Sequence, residues 1–406
     1  MERAILHSDA NAFYASVECA LNPSLRGLPV AVCGSTENRH GIVLAKSEKA
    51  KRAGIQTGMT NGEAKRRCPD LIIVPPHHEI YERYSERLHE IYLRYTDRVE
   101  PFGLDECWLD VTGLMKSPET IADEIRRTVK EELALTVSVG ISFNKVFAKL
   151  GSDLKKPDAV TAITRENFRE KIWPLPCSAL LYCGRATTEK LLRMGIKTIG
   201  ELAAYPPDLL KSRLGKNGEM LSRYANGADN SPVALYTERA QAKSIGHGIT
   251  CVHDLYDPSE VSPVVVALTQ TIGRRLREMK LQTKGIQVTL RDSKLKFESW
   301  QTQLTSPTQC ADTLAKESMK LIQASYRWHN PIRAVTVSAI YLESVDAPAQ
   351  MSMFGQTEKR LQAEQAIDKI REKFGPNAIG PAVLLGDTKL PPEMRDHAVL
   401  PKGGGK

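Results

Sequence analysis

Read from its amino terminus, the chain alternates short apolar runs with longer stretches of helical period. "RAILHSDA" is a compact apolar run closing at Asp9 and reads as a strand. "NAFYASVECAL" then starts a helix, with Asn11 as the expected N-cap. "GLPVAVCG" and "HGIVLAKS" predict two short buried strands, while "EKAKRAGI" and "TNGEAKRRCPDL" predict small basic helices. Over "EIYERYSERLHEIYLRYT" the helical period puts Ile80, Tyr84, Leu88, Ile91 and Tyr95 on one side. A strand at "GLDECWLDV", a helix over "PETIADEIRRTVKEEL", a strand "TVSVGIS" and a helix "FNKVFAKLGSDL" follow. The turn Lys156-Pro157-Asp158 comes next, and this mixed α/β block closes near residue 165.

The pattern then changes. "TTEKLLRMGIKTIGELAAY" predicts two short helices joined at Met194-Gly195-Ile196, a helix-hairpin-helix layout whose backbone N–H groups can hold a phosphate. From about residue 243 a third unit starts, with a basic helix from Ser259 to Lys280 that carries Arg274, Arg275 and Arg277. The strands "KGIQVTLRD" and "KFESWQTQL", a helix over "TQCADTLAKESMKLIQASY" and the strand "IRAVTVSAIYL" complete an α-β-β-α-β order. That order predicts a small sheet with two helices on one face, made basic by Lys284, Arg291, Lys294 and Lys296. "ESVDAPAQ" reads as a linker, and "KRLQAEQAIDKIREKFG" as an amphipathic helix with Leu361, Ile367, Ile370 and Phe374 on one side.

Composition narrows the class. A chain of 406 residues is too long for one core, so two to four domains are expected. With 41% hydrophobic and 26% charged residues it has the make-up of a soluble globular protein. No apolar run reaches membrane-spanning length and the first residues lack a signal-peptide layout, so no membrane partner and a cytoplasmic location are expected. The eight cysteines are scattered without C-x-x-C spacing and read as reduced core thiols. A formal charge of +8 leans towards polyanionic partners.

The chemistry concentrates at Asp105 and Glu106, adjacent acids at the mouth of a strand. Alone, such a pair reads as surface turn acids. Asp9 also ends a predicted strand, and a mixed sheet can set the two strands side by side. Three converging carboxylates would raise one another's pKa unless a cation met them. Magnesium suits a few carboxylate oxygens plus substrate phosphates, and two such ions suit in-line attack on a phosphate.

The blocks "SDANAFYASVE", "GIVLAKSEKAKRAGIQTGM", "GLDECWLDVTG", "VGISFNKVFAKLGSDLKKPD" and "KSIGHGIT" occur in order. Together they resemble the Y-family translesion DNA polymerases of the DinB/UmuC group, over about residues 3 to 345. The resemblance implies an α+β multidomain right hand: palm (1–10 and 77–165), fingers (11–76), helix-hairpin-helix thumb (166–235) and little finger (243–345), with a C-terminal tail (346–406). It implies that Asp9 and Asp105 bridge two Mg²⁺ ions, that Glu106 holds the ion activating the primer 3′-hydroxyl, and that the Ala10 carbonyl completes the nucleotide-side ion. Tyr14 falls at the steric gate that crowds a ribose 2′-hydroxyl, with Phe13 beneath the sugar and base. Lys51 and Lys156 would meet the triphosphate of the incoming deoxynucleotide.

Departures matter here. Ala45 and Glu48 replace residues that many members aim at the phosphates, and Lys51 stands for an arginine, giving a point charge without the bidentate fork. "YCGRAT" lacks one of the usual hairpin glycines, with Tyr182 and Cys183 before Gly184. In the tail, "QMSMF" resembles the bacterial sliding-clamp peptide, in which Gln350, Met353 and Phe354 would enter an apolar pocket. The expected activity is low-fidelity, template-directed DNA synthesis past damaged bases by a monomer recruited by the clamp. The alternative is a poorly catalytic or non-catalytic damage-tolerance factor that binds DNA and clamp. A nucleotide cyclase would also place paired acids on such a sheet, but leaves the hairpin and clamp peptide unexplained.

Overall fold

The structure is a computed structural model describing residues 2–36, 39, 41–238, 242–347, 356–375, 378–385 and 389–390. The clamp-like residues Gln350, Met353 and Phe354 lie outside the described residues. The chain divides into two compact units, 1–34 with 42–239, and 35–41 with 240–406. Among the described residues no helix is long and apolar enough to cross a membrane.

The first unit begins with β1 (Ile5–Ala10), α1 (Phe13–Leu21), β2 (Val30–Cys33) and β3 (Val43–Lys46). It continues with α2 (Glu48–Arg52), α3 (Asn61–Arg67), β4 (Ile72–Val74), α4 (His78–Leu93), β5 (Val99–Pro101) and β6 (Glu106–Asp110). Then come α5 (Pro118–Leu133), β7 (Val137–Ser142), α6 (Lys145–Leu154) and β8 (Val160–Ile163). Five short helices close it: α7 (Phe168–Ile172), α8 (Arg185–Arg193), α9 (Ile199–Ala204), α10 (Pro207–Leu214) and α11 (Lys216–Ala225).

The central sheet runs β5-β6-β1-β7-β8. Strand alternation decides what each face carries. Leu6, Cys107, Leu109 and Val139 point to the side covered by α4 and α5, where they meet Leu88, Ile91, Tyr92, Ile125 and Val129. The expected stripe on α4 is rotated: Leu88 and Ile91 are buried, but Tyr81 and Tyr92 are the core aromatics, and Ile80 and Tyr84 are only half-buried. The opposite face of β1 carries Ile5, His7 and Asp9, and α6 packs there. Gly140 on β7 lets that helix lie against the sheet, because a Cβ would collide with the backbone of Ala148 and Ser152.

A smaller sheet, β3-β2-β4, is filled by small or branched residues, among them Ala31, Ala50, Ile55, Ala64 and Leu71. Ser47 caps α2, and Thr60 with Glu63 forms a reciprocal capping box on α3. The expected N-cap of α1 is corrected. Ala12, in the left-handed region at φ 50°, holds the cap position with no side-chain cap bond. In the helical hairpin, α8 and α9 are joined through Gly195 at φ 81°, as the turn requires.

The second unit holds β9 (Ser244–Leu255), α12 (Pro258–Glu278), β10 (Leu281–Asp292), β11 (Phe297–Thr308), α13 (Ala311–Ser325), β12 (Ile332–Ser344) and α14 (Gln356–Phe374). Its sheet, β11-β10-β12-β9, is antiparallel throughout and shares one core with α12 and α13. The α-β-β-α-β expectation therefore lacked the first strand. Gly246 and Gly248 hide the period of β9, being kept bare by the Ser338 and Thr336 side chains on β12. Leu384 and Leu390, read as tail residues, are buried in this unit's core.

Candidate active site

In the antiparallel register of β1 and β6, Asp9 faces Glu106 across the pair, and the Ala10 N–H donates to the Asp105 carbonyl at 2.9 Å. Cross-strand partners stand about 5 Å apart and project to one face. Two carboxylates at that distance repel by roughly 3 kcal/mol at an effective dielectric of 20, so the fold must supply cations. It does so from α6 and the turn after it. Lys156 Nζ donates to Asp9 Oδ2 at 2.7 Å and lies 2.9 Å from Asp153 Oδ1, while Lys149 Nζ donates to Glu106 Oε2. His7 Nε2, fully buried, lies 3.4 Å from Glu106, and its Nδ1 meets Ser152 Oγ at 2.8 Å.

These surroundings separate the three acids. Burial dominates at Asp9 and pushes its pKa up to about 6 in spite of Lys156. Burial, then the neighbouring Glu106 charge, raises Asp105. At Glu106 burial also works upward, but the nearby His7 ring and the hydrogen bond from Lys149 outweigh it and hold the group at about 2. Two of the three oxygen donors, Asp9 and Asp105, thus ionise reluctantly in the absence of further positive charge, while Glu106 stays ionised. Among the described residues no three His, Cys, Asp or Glu side chains converge at metal-cluster spacing, and Glu106 and Asp9 pair with Lys149 and Lys156. An oxygen-only, charge-hungry donor set of this kind fits a hard divalent cation.

The other expected residues divide. Phe13 is buried and Tyr14 half-buried, their ring centroids 5.8 Å apart. Lys156 joins the carboxylates, but Lys51 stands exposed on α2, 3.8 Å from Glu48, and is not brought to them. Ala45 packs against the apolar core around β1. Asn11 has a different role from the helix cap expected of it. Its Nδ2 donates to Ser138 Oγ at 3.0 Å and its Oδ1 accepts from the Asp158 N–H at 2.9 Å. Arg126 grips the same Asp158 through Nε to Oδ1 at 3.0 Å and Nη2 to the carbonyl at 2.6 Å. The turn that carries Lys156 is therefore tied to the strand end that carries Asp9.

Sequence reasoning missed His7, Lys149 and Asp153. The signal for the last two was present: Lys149, Asp153 and Lys156 recur at helical spacing in "KLGSDLKK", a charged stripe that runs from α6 into the turn after it. His7, inside a short buried strand, offered no such periodicity.

Comparison with known proteins gives the family of the chain. The impB/mucB/samB family matches residues 8–153, and the C-terminal domain of the same family matches residues 242–353. The chain is 45% identical over 396 residues to DNA polymerase IV of Acetivibrio thermocellus, covering 96% of this chain and 99% of that protein. It is 36% identical over 386 residues to DNA polymerase IV of Moorella thermoacetica, covering 94% and 96%. A Y-family DNA polymerase chimera of known structure superposes with a TM-score of 0.75 at 23% identity, over 83% of this chain and 98% of that one.

Proposed function

Because this chain belongs to the impB/mucB/samB family of Y-family DNA polymerases, we propose that it synthesises DNA across damaged template bases by two-metal nucleotidyl transfer. The observation that carries this reading is the cross-strand pairing of Asp9 with Glu106, with Asp105 next to both and lysines already compensating them. The chain is a DNA-directed DNA polymerase acting on DNA and nucleotide substrates.

Asp9, Asp105 and Glu106, with the Ala10 carbonyl, would hold two Mg²⁺ ions. Bound there, such ions lower the pKa of a primer hydroxyl and neutralise charge on the transferring phosphate. Lys156 and Lys149, which pair with Asp9 and Glu106 here, would be the cations nearest to the phosphate oxygens of a bound nucleotide. The N-terminus of α1, without a side-chain cap, offers backbone N–H groups to the same phosphates. Lys51 would assist from α2, although Glu48 beside it weakens its pull. Tyr14, half-exposed, would close the space of a ribose 2′-hydroxyl. The domain roles follow the order read in the sequence, with palm, small fingers and thumb in the first unit and the little finger in the second. Gln350, Met353 and Phe354 would bind the sliding clamp.

Primer extension on a defined template tests the reading. Wild type is expected to extend only with a divalent cation, and Asp105→Ala to lose about three orders of magnitude in rate, since a charge-stabilising group is removed from the reacting centre. Extension by Asp105→Ala at the wild-type rate would end the proposal. Placing an abasic or bulky lesion in the same template tests bypass separately from synthesis.

A further inference from the structure

Behind Tyr14 lies a set of contacts that nothing in the reaction chemistry requires. Tyr14 and Glu18 are one turn apart on α1, and His77 and Tyr81 are one turn apart at the start of α4. The two pairs face each other. The rings of Tyr14 and Tyr81 stack with centroids 4.1 Å apart and an interplanar angle of 14°. One turn away, the Tyr81 hydroxyl donates to Glu18 Oε1 at 2.5 Å, and His77 Nδ1 donates to the same oxygen at 2.8 Å. His78 sets its ring edge-on to both tyrosines, 5.9 Å from each. Glu18 is only 6% exposed, so its carboxylate depends on these two donors. Burial and the bond to Glu18 both raise the Tyr81 hydroxyl's pKa, which keeps it a donor at any working pH.

From this geometry we infer that Glu18, held by His77, is the positioning residue for sugar selection: it fixes Tyr81, and Tyr81 is the backstop that prevents the Tyr14 ring from retreating before a 2′-hydroxyl. The inference rests on the reading of Tyr14 as the sugar gate. A gate rejects a ribose only if it cannot move by the fraction of an ångström that the extra oxygen needs, and an aromatic ring held on its far face by a second anchored ring is so constrained. None of the four side chains belongs to the carboxylate cluster, so the contact sets selectivity without taking part in transfer.

The test is a kinetic cycle on the full chain, using a primer-template with one dNTP or the matching rNTP and comparing the two kcat/KM values as a ratio. The ratio cancels the fraction of active enzyme, so loss of folded protein alone does not move it. Tyr14→Ala should collapse discrimination. Tyr81→Phe and His77→Ala should each lower it about tenfold, as expected when one hydrogen bond to a buried charge is lost. The change should fall mainly in the rNTP KM. In the Tyr14→Ala background neither substitution should change the ratio further. His77 is half-exposed, so His77→Ala remains informative if Tyr81→Phe folds poorly. If Tyr14→Ala relaxes discrimination while Tyr81→Phe and His77→Ala leave it intact, or if their effects add to that of Tyr14→Ala, the backstop is refuted and the gate stands. If Tyr14→Ala changes nothing, the gate reading falls and takes the backstop with it.

Discussion

At the scale of single residues, the site shows how a side chain outside the reacting group controls it. Asn11 touches no carboxylate, yet it accepts from the Asp158 N–H and so holds the turn on which Lys156 stands. Asn11→Ala is expected to raise the KM for the incoming nucleotide about tenfold with little change in kcat, the mark of lost binding shared by ground and transition states. Asn11→Asp keeps the acceptor and should lose less. Single-nucleotide insertion kinetics check both, and an unchanged KM would mean that Arg126 holds the turn alone. Much of this site was legible in the sequence: the three acids and Lys156 sit in recognisable blocks, and the register then brings Asp9 opposite Glu106. What could not be read was the pairing of each acid with its cation. That depends on α6 seating over Gly140 and on a strand register joining residues nearly a hundred positions apart, neither of which local periodicity encodes.

At the scale of elements, departures from pattern turn into measurable strain. The sequence puts Tyr182 where a hairpin glycine is usual, and its backbone takes the glycine conformation, φ 64°. The residue is 55% exposed and its ring lies 6.5 Å from that of Tyr224, so little packing offsets the strain. Tyr182→Gly should therefore stabilise the first unit by about 1 kcal/mol, seen as a higher urea midpoint, because the left-handed region costs an L-residue about that much. A lower midpoint would show that the contact with Tyr224 outweighs the strain. The second unit gives the reverse lesson. The apolar stripe read on α14 is only partly covered: Leu361 and Ile367 are half-buried, but Ile370 is 37% and Phe374 64% exposed. The helix is also held through Glu364 and Asp368, which clasp Arg277, and through Glu364 Oε1, which accepts from the Ala311 N–H at 2.8 Å at the start of α13. Arg277, counted in the sequence among the cations of a basic helix, is thus buried against two acids and unavailable to a phosphate. Periodicity detects apolar faces; a polar docking face has the same composition as a solvated one, and only the fold distinguishes them.

At the scale of the whole molecule, charge and attachment set how long the enzyme stays on its substrate. A net charge of +8 is modest for a protein that must hold a duplex by its phosphates, and contacts to phosphate weaken steeply with salt. Synthesis without help should accordingly be distributive. In the chain the clamp-like peptide stands between β12 and α14, and both of those elements belong to the second unit. Bound to a clamp as proposed, that peptide would turn rebinding after each dissociation into a local event, which can raise effective affinity by about 10²–10⁴ without any new contact to DNA. Replacing Gln350, Met353 and Phe354 together by alanine, which keeps the chain length, should leave clamp-free extension as in wild type and abolish stimulation by a loaded clamp. The difference between the two enzymes should widen as salt rises from about 50 to 200 mM, because the phosphate grip fades while the apolar clamp contact does not. Product length distributions at several salt concentrations, with and without clamp, measure both effects. Stimulation retained by the triple variant would place the clamp contact elsewhere on the chain, and a difference that does not change with salt would mean that the clamp acts on nucleotide addition and not on residence.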